Sequence, residues 1–302
     1  MTKGLLDIEA LGRPEIESLL QRAKDFQPLQ QMREKRLDLL DGRLVVNLFF
    51  EASTRTRISF EIAAKRLGAD ALSISSQGSS VSKGETLLDT VSTLSAMRPD
   101  VIVMRHAASG APHFLARHLP IPIINAGDGQ HEHPTQALLD ARTILDNRPT
   151  LEGLRVAIIG DILHSRVARS NIHLLSKFGV DIVLCGPAPL VPQDLRALAP
   201  GVSITHDIRQ ALCNTDIIMM LRVQLERQNE TSFPAGEYSR FYGLRADNLA
   251  LAKPDAIVMH PGPMNRGREI STEVADSSRS VILSQVENGI AVRMAVLERV
   301  LQ

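Results

Sequence analysis

Short apolar runs at Leu44–Phe50, Ala71–Ser75, Val101–Met104 and Ile121–Asn125 punctuate the first half of the chain. Between them lie segments of helical period, Arg57–Leu67, Glu85–Met97 and Pro112–His118. In the first of these, Phe60, Ala63, Ala64 and Leu67 fall on one helical face, and Gly68 supplies a stop. The second half repeats the alternation, with strands expected at Arg155–Ile159, Asp181–Cys185, Val202–His206, Asp216–Leu221 and Ala256–Met259, and a helix at Ser165–Phe178. Runs such as 156–160 and 181–186 are apolar on both faces, as buried parallel strands are. The pattern predicts an α/β fold of two domains, each a parallel β-sheet flanked by helices.

Pro134 suits a first helical turn. Ala137, Leu138, Ala141, Ile144 and Leu145 then form an apolar face up to Asn147, which predicts an interdomain helix over Pro134–Asn147. The last segment, Gln285–Leu301, is also helical by period, although periodicity does not say which domain it packs on. The expected division is 1–133 with 285–302, and 134–284.

Composition narrows the function. The 302 residues are 44% hydrophobic and 23% charged, which suits packed domains rather than disorder. Lys+Arg and Asp+Glu both number 34, so no basic excess favours nucleic acid or a membrane surface. Small anions remain possible ligands, because a few local arginines suffice. The two cysteines, Cys185 and Cys213, form no CxxC pair, which fits two thiols in a reducing cytoplasm. No apolar run approaches a membrane span, and the first twenty residues lack the core of a signal peptide.

The chemistry gathers at strand ends. At 49–61 a buried strand ends, a short turn follows and a helix begins with Ser53, Thr54, Arg55 and Thr56. Helix N-termini favour phosphate, Ser53 can cap the helix, and Arg55 offers a bidentate fork. A plain N-cap with solvated arginines fits the same spacing. His131-Glu132-His133 places two imidazoles at alternate positions, but no further Cys or His is near in sequence, and no metal is expected. Gln136 lies about one helical turn beyond His133. Lys83 sits in a Ser- and Gly-rich stretch that reads as a loop with a solvated lysine. In the second half Gly160 stands without the other glycines of a dinucleotide fingerprint, which disfavours a nicotinamide dehydrogenase. Gly and Pro at His260-Pro261-Gly262-Pro263 mark a stiff turn, which a purely structural role fits equally well.

Taken together, these segments resemble the aspartate/ornithine carbamoyltransferase family. Ser53-Thr54-Arg55-Thr56-Arg57 followed by Ser59-Phe60-Glu61 is similar to its carbamoyl-phosphate signature, and His133-Pro134-Thr135-Gln136 to its His-Pro-x-Gln motif. The segment 79–85 resembles the mobile loop of the aspartate branch, and Arg222-Val223-Gln224 its amino-acid segment. The ornithine branch carries His-Cys-Leu-Pro where this chain has His260-Pro261-Gly262-Pro263.

The resemblance implies transfer of a carbamoyl group from carbamoyl phosphate to L-aspartate, the committed step of pyrimidine biosynthesis, with no cofactor. It implies that Ser53, Thr54, Arg55 and Thr56 hold the phosphate. Thr56, Arg105 and His133 would polarise the carbonyl, Gln136 would meet the carbamoyl amide, and the backbone of Gly262 and Pro263 would touch the carbamoyl group. Arg166, Arg222, Gln224 and Lys83 would bind aspartate. It further implies a cytoplasmic homotrimer in which Ser79 (or Ser80) and Lys83 complete a neighbouring subunit's site. A dihydroorotase, a dihydroorotase-like partner or a regulatory chain is the wider assembly it suggests. Rival readings are an ornithine acceptor and an inert anion-binding subunit. Glu226 and Glu230 would have to serve a cationic acceptor, but Arg222 and Arg227 stand among them.

Overall fold

The structure is a computed structural model that describes residues 4–75, 85–222 and 235–302. Ser79, Lys83, Gln224, Glu226, Arg227 and Glu230 therefore lie outside the described residues. The chain divides into two compact units, residues 1–142 with 287–302, and residues 143–286.

The first unit begins with α1 (Arg13–Phe26) and continues through β1 (Leu44–Phe49), α2 (Thr54–Arg66), β2 (Asp70–Ser75), α3 (Leu87–Ala96), β3 (Val101–His106), α4 (Ala111–His118) and β4 (Ile123–Asp128) to α5 (Pro134–Asn147), which belongs to the second unit from Thr143 onward. Its sheet has the order β2-β1-β3-β4, and every pairing is parallel. Val46, Leu48, Ile102, Met104 and Ile123 pack with Leu115 of α4 in one buried cluster. α1 was not expected as an element, although Ile16, Leu19, Leu20, Ala23 and Phe26 make a regular buried stripe. Glu15 also accepts from the Gly12 N–H at the start of α1.

The second unit carries β5 (Arg155–Ile159), α6 (Arg166–Ser176), β6 (Asp181–Cys185), β7 (Val202–Thr205), α7 (Ile208–Leu212) and β8 (Ile217–Met220). It continues with α8 (Ala235–Tyr242), α9 (Ala246–Leu249), β9 (Ile257–Met259) and α10 (Thr272–Ala275). Its parallel sheet has the order β7-β6-β5-β8-β9. β5, β6 and β8 are buried almost throughout, which is why their sequences are apolar on both faces.

α11 (Ile282–Leu301) begins three residues before the expected start. From Glu287 onward it belongs to the first unit. There Glu298 takes a bidentate pair from Arg22 at 2.6 and 2.7 Å, and Asn288 accepts from Gln27.

Each sheet has one topological switch point, the place in an open α/β sheet where ligands bind beyond the strand C-termini. In the first sheet it lies between β1 and β3. In the second it lies between β5 and β8.

Candidate active site

Seven of the described residues singled out from the sequence lie in the first unit: Ser53, Thr54, Arg55, Thr56 and Arg105 beside the first switch point, and His133 and Gln136 after β4. β1 and β3 run in register with Phe49 opposite Arg105, and Phe50 N–H donates to the Arg105 carbonyl. The chain leaving β1 therefore enters α2 beside the Arg105 end of β3. α2 starts at Thr54, earlier than the apolar period indicated. Ser53 is the N-cap residue, but its side chain makes no capping hydrogen bond, which corrects the expectation that it would. Thr56 is buried, Thr54 and Arg55 are exposed, and Ser53 is half-buried. The first turn of a helix lacks intrahelical partners for its N–H groups and sits at the positive dipole end, a suitable place for an anion.

Arg105 is paired with Glu51, whose carboxylate accepts from its guanidinium at 2.6 Å. A second nitrogen reaches the Ala126 carbonyl at 3.4 Å. His133 follows β4 and is buried immediately before α5. One turn further, the Gln136 amide nitrogen donates to Asp140 at 2.9 Å. That bond leaves the Gln136 carbonyl oxygen as the acceptor facing elsewhere.

Arg293 of α11 adds a buried cation to the same unit. It donates to Ser59 Oγ and the Gly289 carbonyl, and its guanidinium lies 5.1 Å from the Phe60 ring centroid. Burial brings its pKa down to about 10, Asp140 opposes that shift and Arg105 adds to it. Glu51, Asp140 and Arg293 were not singled out from the sequence. Glu51 stood inside the quoted motif and Asp140 stood four residues from Gln136, so each carried a local signal. Arg293 carried none.

Among the described residues, no group of three or more potential metal ligands contains both His131 and His133. The intervening Glu132 is buried and accepts from the Ile8 and Glu9 N–H groups. His131 bonds Asp128 at 3.1 Å, which pushes its pKa up. Burial alone would raise Asp128. Hydrogen bonds from His131, Asn125 and Gly110 outweigh it and hold the carboxyl below its usual range.

The second switch point has a different build. Gly160 ends β5 with φ +143, and a Cβ there would meet Leu221 Cβ at 2.8 Å, so only glycine allows β5 and the end of β8 to close up. Arg166 is the first residue of α6 and is buried. Arg222 follows β8 and is half-buried. Here the N-cap, Ser165, does accept from Ala168 N–H at 3.1 Å.

The His260 turn follows β9. Gly262 N–H donates to His260 Nδ1 at 2.8 Å, so the ring proton is on Nε2, which faces Glu269 Oε1 at 3.2 Å. Both side chains are fully buried. Glu269 also accepts from Asn265 N–H, and the Gly262–Pro263 peptide is cis. The turn that carries Gly262 and Pro263 is thus fixed by an internal carboxylate.

Residues 3–146 match the family model described as "Aspartate/ornithine carbamoyltransferase, carbamoyl-P binding domain". Residues 152–300 match "Aspartate/ornithine carbamoyltransferase, Asp/Orn binding domain". The chain belongs to the aspartate/ornithine carbamoyltransferase family. Within it, the chain is 75% identical over 301 residues, 100% of both chains, to the Solibacter usitatus protein named aspartate carbamoyltransferase catalytic subunit. The aspartate transcarbamoylase of Trypanosoma cruzi, solved with N-(phosphonacetyl)-L-aspartic acid, superposes with a TM-score of 0.92 at 35% identity, covering 100% of this chain and 96% of that one. An ornithine carbamoyltransferase from Pyrococcus furiosus gives 0.85 at 30%, covering 98% and 96%. Both branches of the family thus share this fold. No helix among the described residues is long and apolar enough to cross a membrane.

Proposed function

We propose that the chain is a carbamoyltransferase that converts carbamoyl phosphate and L-aspartate to N-carbamoyl-L-aspartate and phosphate, feeding pyrimidine biosynthesis. The observation that carries the choice of acceptor is the pair of arginines at the second switch point, Arg166 at the start of α6 and Arg222 after β8. Two cationic forks match the two carboxylates of aspartate, whereas the side-chain ammonium of ornithine would need an acidic partner. The 75% identity to the Solibacter usitatus protein supports the same branch.

In this reading the phosphate of carbamoyl phosphate sits on the first turn of α2, against Ser53, Thr54, Arg55 and Thr56. Its carbonyl oxygen takes hydrogen bonds from Thr56, Arg105 and His133. Gln136 accepts from the carbamoyl amide through the oxygen that Asp140 leaves available. The amine of aspartate attacks the carbonyl carbon. Charge then develops on the carbonyl oxygen, and fixed donors there stabilise the tetrahedral state more than the ground state. The C–O bond to phosphate breaks, and the departing phosphate takes the amine proton. Positioning of the two substrates supplies much of the remaining acceleration. Gly262 and Pro263 contact the carbamoyl group through their backbone, and Gln224 assists Arg222. Ser79 and Lys83 from a neighbouring subunit of a cytoplasmic homotrimer complete the site.

The test is phosphate release from carbamoyl phosphate in metal-free buffer with L-aspartate or L-ornithine as acceptor. Release with aspartate, with carbamoyl-aspartate formed, is the expected result. Release with ornithine alone would assign the chain to the sister branch. Carbamoyl phosphate binding without turnover would make it an inert subunit.

A further inference from the structure

Outside that site, one group of side chains in the first unit has the makings of a metal centre. His113 of α4, Asp128 at the end of β4 and His131 of the following loop each bring a ligand-capable atom within 4.8 Å of the others. Sequence spacing hides the group, because His113 lies fifteen residues before Asp128 and on another element. We infer that His113, Asp128 and His131 form a binding site for one divalent first-row transition ion of the zinc type.

The ligand set of two imidazoles and one carboxylate is a common one for zinc. With metal–ligand distances of about 2.0–2.1 Å, neighbouring ligands in a tetrahedral site stand roughly 3.3 Å apart. His131 Nδ1 already stands 3.1 and 3.3 Å from the two Asp128 oxygens. Movement of the half-buried His113 from within 4.8 Å would close the other two edges.

His113 gives a second, independent indication. Its Nε2 is taken by Asp7 Oδ2 at 2.8 Å. Its Nδ1 is buried and has no hydrogen-bond partner among the described residues. A proton on Nε2, donated to Asp7, leaves a lone pair on Nδ1, and burying that lone pair unused is unfavourable. A carboxylate on one imidazole nitrogen with a metal on the other is how metal-bound histidines are held in one tautomer and orientation.

The surroundings favour a cation. Asp128 is fully buried, and Asp7 and Glu132 add two more carboxylates beside the imidazoles. Asp128 is fixed by Gly110 N–H at 2.7 Å, Asn125 Nδ2 at 2.8 Å and Glu132 N–H at 3.1 Å, so it would enter coordination already oriented. The backbone is committed as well. Gly129 has φ +49, and a Cβ there would meet Ser109 N at 2.6 Å and the Ala107 carbonyl at 2.9 Å. The ion would tie α4 to the loop that carries His133 two residues later. Its role is to stabilise that loop, not to take part in carbamoyl transfer.

The test uses the full chain, stripped with a chelator and carrying Cys213→Ser, because Cys213 is an exposed thiol that could bind metal by itself. Co²⁺ is titrated and its visible absorption is followed, Zn²⁺ is then used to displace it, and the melting temperature is measured with and without Zn²⁺. The expected result is one saturable site per chain, displaced by Zn²⁺, with a higher melting temperature. His113→Ala and His131→Ala should each abolish it, and Asp7→Asn should weaken it by about 10- to 100-fold. His118→Ala, on the same helix, should leave it unchanged. Absence of a saturable site in the parent, or full binding by either folded histidine variant, would overturn the inference. Should His131→Ala lose its native circular dichroism, His113→Ala decides alone.

Discussion

The two switch points are built alike and finished differently. In each, a central parallel strand runs into a helix whose N-cap is a serine: Ser53 before α2 and Ser165 before α6. Ser165 closes its helix by accepting from Ala168 N–H. Ser53 makes no such bond. A helix end satisfied by its own side chain offers little to a ligand, so in the proposed reading the first residue of α6, Arg166, would bind through its guanidinium. A helix end left without its cap is completed by whatever anion arrives, and at α2 the hydroxyls and arginine that follow suit a phosphate. In the proposed reading the contrast separates two ways of holding an anion: backbone and hydroxyls joined by an arginine for a phosphoryl group, side-chain forks alone for carboxylates.

The strongest test of this contrast lies at the carbonyl oxygen. Arg105→Ala should lower kcat/KM by roughly 10²- to 10³-fold, the usual loss for a removed oxyanion donor. A steady-state loss below about tenfold would remove Arg105 from that role. Next, Arg222→Ala should raise the half-saturating aspartate concentration by about 10- to 100-fold, equivalent to about 1.5–3 kcal/mol, with carbamoyl phosphate binding unchanged in a calorimetric titration. Equal damage to both substrates would erase the division between the two switch points. The capping difference itself predicts smaller effects of distinct kind. Ser165→Ala should cost about 1 kcal/mol in urea unfolding of the ligand-free protein. Ser53→Ala should change that stability by less than about 0.5 kcal/mol, yet reduce the extra stability conferred by inorganic phosphate. The same loss for both serines would mean that the two helix ends are equivalent after all. Smallest, Glu51→Gln removes the carboxylate that competes for Arg105, and inorganic phosphate should bind about fivefold more tightly, in keeping with a pair worth about 1 kcal/mol.

Much of this architecture is written in local pattern. The buried strands are legible because parallel strands covered on both faces must be apolar throughout, as β5 and β6 are. Helix starts are less so. α2 begins in the polar stretch 54–57, where no apolar period exists, so its start is legible from Ser53 as the N-cap residue and not from the buried residues that begin at Phe60. α1 is the opposite case, since its apolar stripe and Glu15 are both legible in the sequence. At the site, resemblance to the family singled out Arg105, His133 and Gln136, and the structure puts them at or just beyond the C-terminal ends of neighbouring strands β3 and β4. It could not supply the groups that orient them. The Arg105–Glu51 pair spans 54 residues, and Arg293 reaches Ser59 across 234. Contacts at such separations depend on the folded path of the chain, not on any repeat along it. The His113 group with Asp128 and His131 is hidden for the same reason.

The division of the chain also has a consequence for the order of events during synthesis. The second unit is one continuous stretch, 143–286, but the first is split into 1–142 and 287–302. A ribosome therefore delivers everything the second unit needs before it delivers the last sixteen residues of the first. Until then Arg22 and Gln27 lack Glu298 and Asn288, and Ser59 lacks Arg293. The half of the molecule made first is the half completed last, and it waits in the cell through the making of its neighbour, when a nascent chain is most exposed to aggregation and to chaperones.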